Sequence, residues 1–255
     1  MNKNTLGNLI GAAILVAYVG ISYLLYDPSK KEISSINSSI NSNDEILEST
    51  DDTASKIFNN SSDSIFLLWV SDKKFESGLM STTFLIDTIP GMLGSGSLIT
   101  SLYNIMNEKD EPYKYLFAIN IKDDFTKYSN WHELKGGKIK MFPFMKLKGG
   151  VIIANLTFKN NNKFETLPYV VSQSEYKPTI GEGFYFIGNA GGHTGVIIMM
   201  TFLRADKNAY IFQGSVRGGE SVAPIFNDRG EVIAMVVSYD EEKQEVYALP
   251  SFLFF

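Results

Sequence analysis

The segment Gln213–Tyr239, QGSVRGGESVAPIFNDRGEVIAMVVSY, contains the strongest fold signal in the chain. It places Ser221 in a glycine-rich bend, followed by a short apolar strand at Ala223–Phe226 and a polar turn at Asn227–Gly230. A second apolar strand at Glu231–Ser238 completes the pattern of a β-hairpin. The segment therefore predicts a hairpin whose entry loop presents a serine.

The composition limits the classes of function open to the chain. Its 255 residues are 44% hydrophobic and 20% charged, so a substantial core can form, and the glycine, phenylalanine and tyrosine content favours strands. The net charge of −5 argues against a nucleic-acid surface, and the one dense basic stretch, Lys135–Lys148, predicts a solvated strand pair. With no cysteine and two histidines, His132 and His193, disulfides are excluded and zinc has few ligands. No phosphate loop or dinucleotide fingerprint occurs, so neither a cofactor nor a metal is expected.

The N-terminal segment predicts a membrane anchor. Leu9–Tyr26 has no charged residue and is long enough to cross a hydrocarbon core of about 30 Å as a helix. Because this stretch ends in tyrosines and not in small residues, we interpret residues 1–26 as an uncleaved anchor. Residues 27–63 are rich in serine, asparagine and acidic residues, and they predict a polar stalk with room for one short helix.

From Ser64 onward the sequence consists of short β-branched and aromatic runs separated by turn residues. Thirteen such runs occur, among them TLPYVV at 166–171, and no long helical period interrupts them. This pattern predicts an all-β sandwich or barrel. The runs divide near Lys159–Lys163 into two comparable halves, residues 64–160 and 161–255.

Several motifs, in their order along the chain, resemble the trypsin-like serine protease superfamily and, within it, the HtrA/Deg-type bacterial branch. The segment IGEGFYFIGNAGGHTGVIIMMTF at 180–202 resembles a strand pair of that family, and Gly219–Pro224 falls on its nucleophile motif, G-N-S-G-G-P. In the first half, STTFLID at 81–87 and LITSLYNI at 98–105 resemble two of its strands. The resemblance covers about Ser64–Leu253. It implies an all-β fold of two packed six-stranded antiparallel barrels, with the active site in the cleft between them.

The resemblance also assigns catalytic positions. A serine nucleophile needs a base, an acid that orients the base, and backbone N–H donors for the oxyanion. Ser221 stands at the nucleophile position, and Gly219 and Ser221 stand where the backbone would form the oxyanion hole. Tyr103 occupies the position of the family's histidine, and Gly150 that of its aspartate. Because a phenol titrates near about 10 and glycine has no side chain, the resemblance implies that base and acid are both missing.

The residues around these positions are interpreted as structural. Val222 and Ala223 replace two glycines of the nucleophile motif, and the β-branched Val222 is expected to disfavour a strained backbone there. Glu220 is expected to be a surface carboxylate, and both histidines are expected to be ordinary surface or hydrogen-bonded residues.

Three functions remain open from the sequence. The first is a membrane-anchored pseudoprotease that binds a protein or peptide through its cleft or strand edges, with the soluble domain outside the cytoplasm. The second is an active HtrA-like serine endopeptidase with Ser221 as nucleophile and a base located elsewhere. The third is a β-rich, membrane-tethered interaction domain unrelated to proteases. The sequence carries no signal for the oligomeric state.

Overall fold

The computed structural model describes residues 52–74, 78–86, 97–107, 109, 111–144, 147–160, 164–169, 175–190, 193–216 and 219–253. The predicted membrane helix at Leu9–Tyr26 lies outside these residues. Within them, no helix combines the length and the apolar character needed to span a bilayer.

The described chain contains one α-helix and twelve strands. The helix, α1, spans Asp52–Ser61, and short 3-10 helices lie at Ser62–Ser64, Leu102–Ile105, Tyr128–Asn130 and Ser251–Leu253. The strands are β1 (Ile65–Ser71), β2 (Leu79–Ile86), β3 (Ser97–Ser101), β4 (Tyr115–Asn120), β5 (His132–Phe144), β6 (Leu147–Phe158), β7 (Gly183–Ala190), β8 (His193–Asp206), β9 (Ala209–Gln213), β10 (Pro224–Phe226), β11 (Val232–Asp240) and β12 (Glu245–Pro250).

The strands form two closed antiparallel barrels of six strands each. In the first, the neighbour order is β1-β2-β3-β6-β5-β4, and in the second it is β10-β11-β12-β9-β8-β7. The all-β prediction and the two-barrel architecture implied by the resemblance are thus confirmed, and the sandwich alternative is wrong. In a closed barrel every strand has a neighbour on each side, so backbone groups are hydrogen-bonded on both sides wherever the neighbouring strands are equally long.

Each barrel has its own core, and a further apolar cluster joins the two. The first barrel is filled by residues such as Phe66, Leu98 and Leu156, and the second by aromatic rings such as Phe184 and Phe212, which meet edge-to-face at 5.5 Å. The joining cluster combines buried residues of the first barrel with buried residues of the second; they include Phe84, Ile99, Ile153, Ile187, Ile211, Val222, Phe226 and Met235. The two barrels therefore pack on each other through buried apolar side chains.

Twelve of the thirteen predicted runs form strands, and TLPYVV is the exception. In this connection between the barrels, Leu167 and Tyr169 form isolated parallel bridges. The Leu167 N–H donates to the Leu85 carbonyl of β2 at 2.9 Å, and the Pro168 carbonyl accepts from the Val232 N–H of β11 at 2.8 Å. Because Pro168 has no N–H, the run cannot continue as a paired strand. It links one barrel to the other instead.

The helix α1 lies in residues 27–63, whose composition predicts a polar stalk with room for one short helix. Its apolar residues Ala54, Ile57 and Phe58 are spaced for one helical face, and Ile57 is buried in the cluster that joins the barrels. Gly195 of β8 lets α1 approach, since a Cβ at that position would lie 3.2 Å from the Phe58 ring. The helix is therefore part of the packed structure.

The predicted hairpin is confirmed as β10 and β11, joined by a turn that Asn227 organises. The Asn227 side chain is fully buried; its Oδ1 accepts from the backbone N–H groups of Arg229 and Glu231, each at 3.0 Å. Gly230 takes a φ of 77°, which favours glycine. An asparagine at the first position and a glycine near the end are the residue types that such a turn needs.

A charged group on the outside of the second barrel joins three neighbouring strands. Arg204 on β8 and Tyr247 on β12 both pair with Ile211 of β9, so their side chains share a face with Glu245. The guanidinium of Arg204 donates to both oxygens of Glu245 at 2.8 and 3.1 Å, and the Tyr247 hydroxyl donates to Glu245 Oε2 at 2.5 Å. The hydrogen bonds from Arg204 and Tyr247 lower the pKa of Glu245 to about 2.

Replacing Glu245 with Gln is expected to destabilise the protein by about 1 kcal/mol at neutral pH, because Arg204 is half exposed and water screens the ion pair. Since the pKa of Glu245 is depressed in the folded state, this contribution is complete above its ordinary value of 4.5 and is lost as pH falls through about 2. Urea unfolding of wild type and Glu245→Gln from pH 7 to pH 2 measures the difference. The difference in unfolding free energy between wild type and Glu245→Gln should narrow only below about pH 4.5. Glu242→Gln, in the exposed turn before β12, should not differ from wild type in unfolding free energy.

Candidate active site

Ser221 lies in a tight turn at the start of β10. The Ala223 N–H donates to the Glu220 carbonyl at 3.0 Å, which makes Ser221 and Val222 the two central residues of a β-turn. Val222 has a φ of 71°, whereas Ser221 is not among the residues with positive φ. This combination corresponds to a type II turn, which normally requires glycine at its third position. The turn holds Ser221 half-buried at the mouth of the loop.

Val222 is held in this unfavourable backbone conformation by its surroundings. A β-branched residue in the left-handed region is a rare outlier. The Val222 side chain is 1% exposed and belongs to the cluster that joins the barrels. Its N–H donates to the Val236 carbonyl at 2.9 Å, and the Val236 N–H donates to the Ala223 carbonyl at 3.0 Å. The expected conflict between Val222 and its backbone is real, and burial with two hydrogen bonds offsets it.

Gly219 binds the serine loop to the first barrel. Its carbonyl oxygen accepts from both the backbone N–H and the hydroxyl of Thr82 on β2, each at 2.9 Å. Gly219 has a φ of 96°, which a residue with a Cβ rarely adopts. Sequence reasoning missed Thr82, because nothing local connects two residues 137 positions apart.

Glu220 is buried, and the expectation of a surface carboxylate is wrong. Its relative exposure is 0%, since the turn directs the side chain into the junction between the barrels and away from solvent. Gly188 of β7 makes room there: a Cβ on Gly188 would lie 3.4 Å from Glu220 Cγ, 3.3 Å from Thr82 Oγ1 and 3.2 Å from Ala223 Cβ. The residue before the serine therefore helps to fix the loop.

Tyr103 and Gly150 lie on neighbouring elements of the first barrel. Tyr103 is in the 3-10 helix Leu102–Ile105 that follows β3, and this helix contacts β6, which contains Gly150. The last registered pair of β3 and β6 joins Ser101 to Ile153, three residues from Gly150 along β6. The Tyr103 ring is 42% exposed. β3 is also the neighbour of β2, whose Thr82 binds the serine loop.

His132 is placed away from Ser221. It begins β5, which lies three strands from β2 in either direction around the first barrel and so on the opposite wall. Its ring meets Phe158 and Phe164 edge-on at 5.8 and 5.3 Å, and desolvation lowers its pKa despite nearby Asp123. His132 is therefore a half-buried structural histidine. His193 begins β8 opposite Ala190, and its side chain lies outside the described atoms.

Beyond Val236, one edge of β11 has no registered strand partner in the described chain. β11 pairs with β10 as far as Met235, and Val236 bonds to Val222 and Ala223. β11 continues to Asp240 with β12 as its one strand partner in the described chain, through a bulge between Val236 and Ser238. The residues Val237–Tyr239 are half-exposed. An extended peptide laid along this edge would pass beside Ser221.

Solved structures identify the class of fold. The Rv3671c protease from M. tuberculosis H37Rv, a serine-to-alanine mutant in its inactive form, aligns with a TM-score of 0.56 and 12% identity over 77% of this chain and 85% of that one. A serine endoprotease from Yersinia pestis aligns with a TM-score of 0.57 and 13% identity over 78% of this chain and 62% of that one. Neither protein-family models nor curated protein sequences give a match. The chain has the two-barrel, trypsin-like fold of serine proteases.

The arrangement places Ser221 half-buried in a turn that begins β10, which pairs with β11. Tyr103 and Gly150, which the resemblance assigns to the positions of the base and the acid, lie on neighbouring elements of the first barrel. In the part of the chain that the structure describes, no group of three or more histidine, aspartate or glutamate side chains is arranged to hold a metal ion.

The strain at Val222 predicts an inverted preference for glycine over alanine. At ordinary positions alanine is the more stable by about 0.5–1 kcal/mol, but at a positive φ the Cβ of alanine costs roughly 1–2 kcal/mol. Val222→Gly should therefore be at least as stable as Val222→Ala in denaturant unfolding. The matched control is Val246, fully buried in β12, where the alanine variant should be the more stable. If the alanine variant were more stable than the glycine variant at position 222 as well as at position 246, the turn would carry no strain.

Proposed function

We propose that the chain is a membrane-anchored protein of the HtrA/Deg type that binds a peptide or protein segment in the cleft between its barrels and does not hydrolyse it. The observation that carries the proposal is Tyr103, which stands in the 3-10 helix after β3 beside a strand with glycine at position 150. Residues Leu9–Tyr26 anchor the chain, and the barrels lie outside the cytoplasm.

The chemical argument rests on proton transfer. To attack a carbonyl, Ser221 must give its proton to a base that is mostly unprotonated at neutral pH. A phenol keeps its own proton there, and Gly150 has no carboxylate to orient or stabilise a charged base. His132 lies on the opposite wall of the barrel, against Phe158 and Phe164. The serine is therefore expected to remain a poor nucleophile.

The binding argument rests on features that proteolysis shares with peptide recognition. The edge Val237–Tyr239 offers backbone groups to an added strand, and the loop that ends it is fixed by Thr82 and the buried Glu220. A preformed loop lowers the entropy lost on binding. These features support a role for the cleft that does not depend on bond cleavage.

The catalytic part of the proposal is tested with a fluorophosphonate probe, which reacts with activated serines. We expect labelling of wild-type protein to equal that of Ser221→Ala, because in the described part of the chain neither Tyr103 nor His132 is suited to take the proton of the hydroxyl. The variant Tyr103→His with Gly150→Asp supplies the missing groups, and it should label more than wild type if the site geometry is otherwise intact. Labelling of wild type that Ser221→Ala abolishes would overturn the proposal in favour of an active endopeptidase.

The binding part is tested by amide hydrogen exchange. A peptide selected on the folded protein from a displayed random library should slow exchange at Val237–Tyr239, because strand addition hydrogen-bonds these backbone groups. Residues Glu241–Gln244, in the exposed turn that follows, provide the internal control and should be unchanged. Protection confined to other parts of the barrels would place the binding surface elsewhere.

A further inference from the structure

The unpaired edge of β11 lies in line with β10. The registered pairs of these two antiparallel strands reach Pro224 opposite Met235, and the loop before β10 continues the pairing to Val236. Beyond Val236, the same edge of β11 at Val237–Tyr239 has no registered strand partner in the described chain. A strand added there in the antiparallel sense, which both registered neighbours of β11 have, runs in the same direction as β10. Its C-terminal end therefore arrives at the loop that contains Ser221.

An added strand cannot continue past this loop along β11. The next position on the edge is occupied, because the Val222 N–H donates to the Val236 carbonyl at 2.9 Å and the Val236 N–H donates to the Ala223 carbonyl at 3.0 Å. A peptide on this edge must therefore turn away at Ser221 or end there. A chain that ends there brings its terminal carboxylate to the loop.

The serine loop has backbone donors that the described protein does not use. The Glu220 carbonyl accepts from the Ala223 N–H inside the turn, and the peptide bonds are trans. Because the C=O and N–H groups of a trans peptide point in opposite directions, the Ser221 N–H is directed out of the turn. Neither this N–H nor the Gly219 N–H has a hydrogen-bond acceptor among the described residues. Backbone N–H groups close together in a turn form a concave site for an anion.

The hydroxyl of Ser221 adds a third donor. A serine that gives its proton to no base keeps the hydroxyl hydrogen and can donate it to a ligand. A neutral peptide carbonyl offers one oxygen to these donors, whereas a carboxylate offers two oxygens and a full negative charge. Hydrogen bonds to an ionised acceptor are roughly twice as strong as those between neutral groups. The donors of the loop therefore favour a carboxylate over an internal carbonyl.

We propose that the cleft binds the free C-terminus of a partner protein. The last three residues of the partner pair with Val237–Tyr239, and the terminal carboxylate accepts from the Gly219 N–H, the Ser221 N–H and the Ser221 hydroxyl. The loop is fixed before binding, since Thr82 holds the Gly219 carbonyl and Val222 is buried, so little entropy is lost. This inference rests on the proposed function, because it names the ligand of the same cleft.

The test compares three synthetic forms of one peptide on the full chain in detergent. The peptide is selected from a random library displayed with free C-termini. It is made with a terminal carboxylate, with a terminal amide, and with two alanines added after its last residue. We expect the amide and the extended peptide to bind roughly tenfold more weakly in fluorescence anisotropy, because the charge-assisted hydrogen bonds are lost or displaced. Mass spectrometry should recover the extended peptide intact.

The variant Ser221→Ala separates the carboxylate contact from strand pairing. It should weaken binding of the acid peptide about fivefold or more, because one donor to the carboxylate is removed, and it should leave the amide peptide unchanged. Ser238→Ala is the matched control, since it removes the hydroxyl of a half-exposed serine on the β11 edge. The ratio of acid to amide affinities should be the same in Ser238→Ala as in wild type.

The outcomes distinguish this inference from the proposed function. Equal affinities for the acid and amide peptides, with both slowing hydrogen exchange at Val237–Tyr239, overturn C-terminal recognition and leave peptide binding in the cleft intact. Equal weakening of both peptides by Ser221→Ala overturns it as well. A library that yields no binder, or binders that protect only other parts of the barrels, counts against the proposed function and against this inference with it. Cleavage of the extended peptide contradicts the non-hydrolytic part of the proposed function.

Discussion

The carbonyl oxygen of Gly219 accepts two hydrogen bonds from Thr82, and the arrangement of the serine loop depends on this contact. Thr82 is fully buried, so its N–H and hydroxyl cannot exchange these hydrogen bonds for water. The bond fixes the loop of the second barrel against the first. The Glu220 side chain is buried in the junction between the barrels, and Val222 is held at its unfavourable φ. Ser221, between them, remains half-buried. Separating the barrels would expose all of these groups together.

The scaffold and the chemistry of this fold depend on different residues. Stability comes from the three apolar clusters and from closure of the barrels, in which a residue at the end of a strand contributes little. Tyr103 is partly exposed beyond the end of β3 and is not among the residues of these clusters. The trypsin-like fold of this chain therefore does not depend on a histidine at position 103 or an aspartate at position 150.

Most of the strands could be predicted because each carries its own local signal. β-Branched and aromatic runs between turn residues located twelve strands, and the Asn227–Gly230 turn was identified by its residue types. The exceptions follow from tertiary context. The run TLPYVV resembles a strand, but Pro168 and two parallel bridges make it a connection, and α1 packs where polar composition suggested solvent. The candidate site residues Ser221, Tyr103 and Gly150 were assigned from the order of motifs along the chain. Motif order carries no information on the distances between these residues.

The sequence by itself determined the strand content, the hairpin turn and the residue types at the candidate site. These depend on neighbours within a few positions, where backbone preference and side-chain alternation act. Only the tertiary structure decided that Glu220 is buried, that Thr82 meets Gly219, and that His132 lies on the far wall of the barrel. Each of these features depends on contacts between strands that are far apart in the chain. The local order of residues does not specify which distant strands pair to close a barrel.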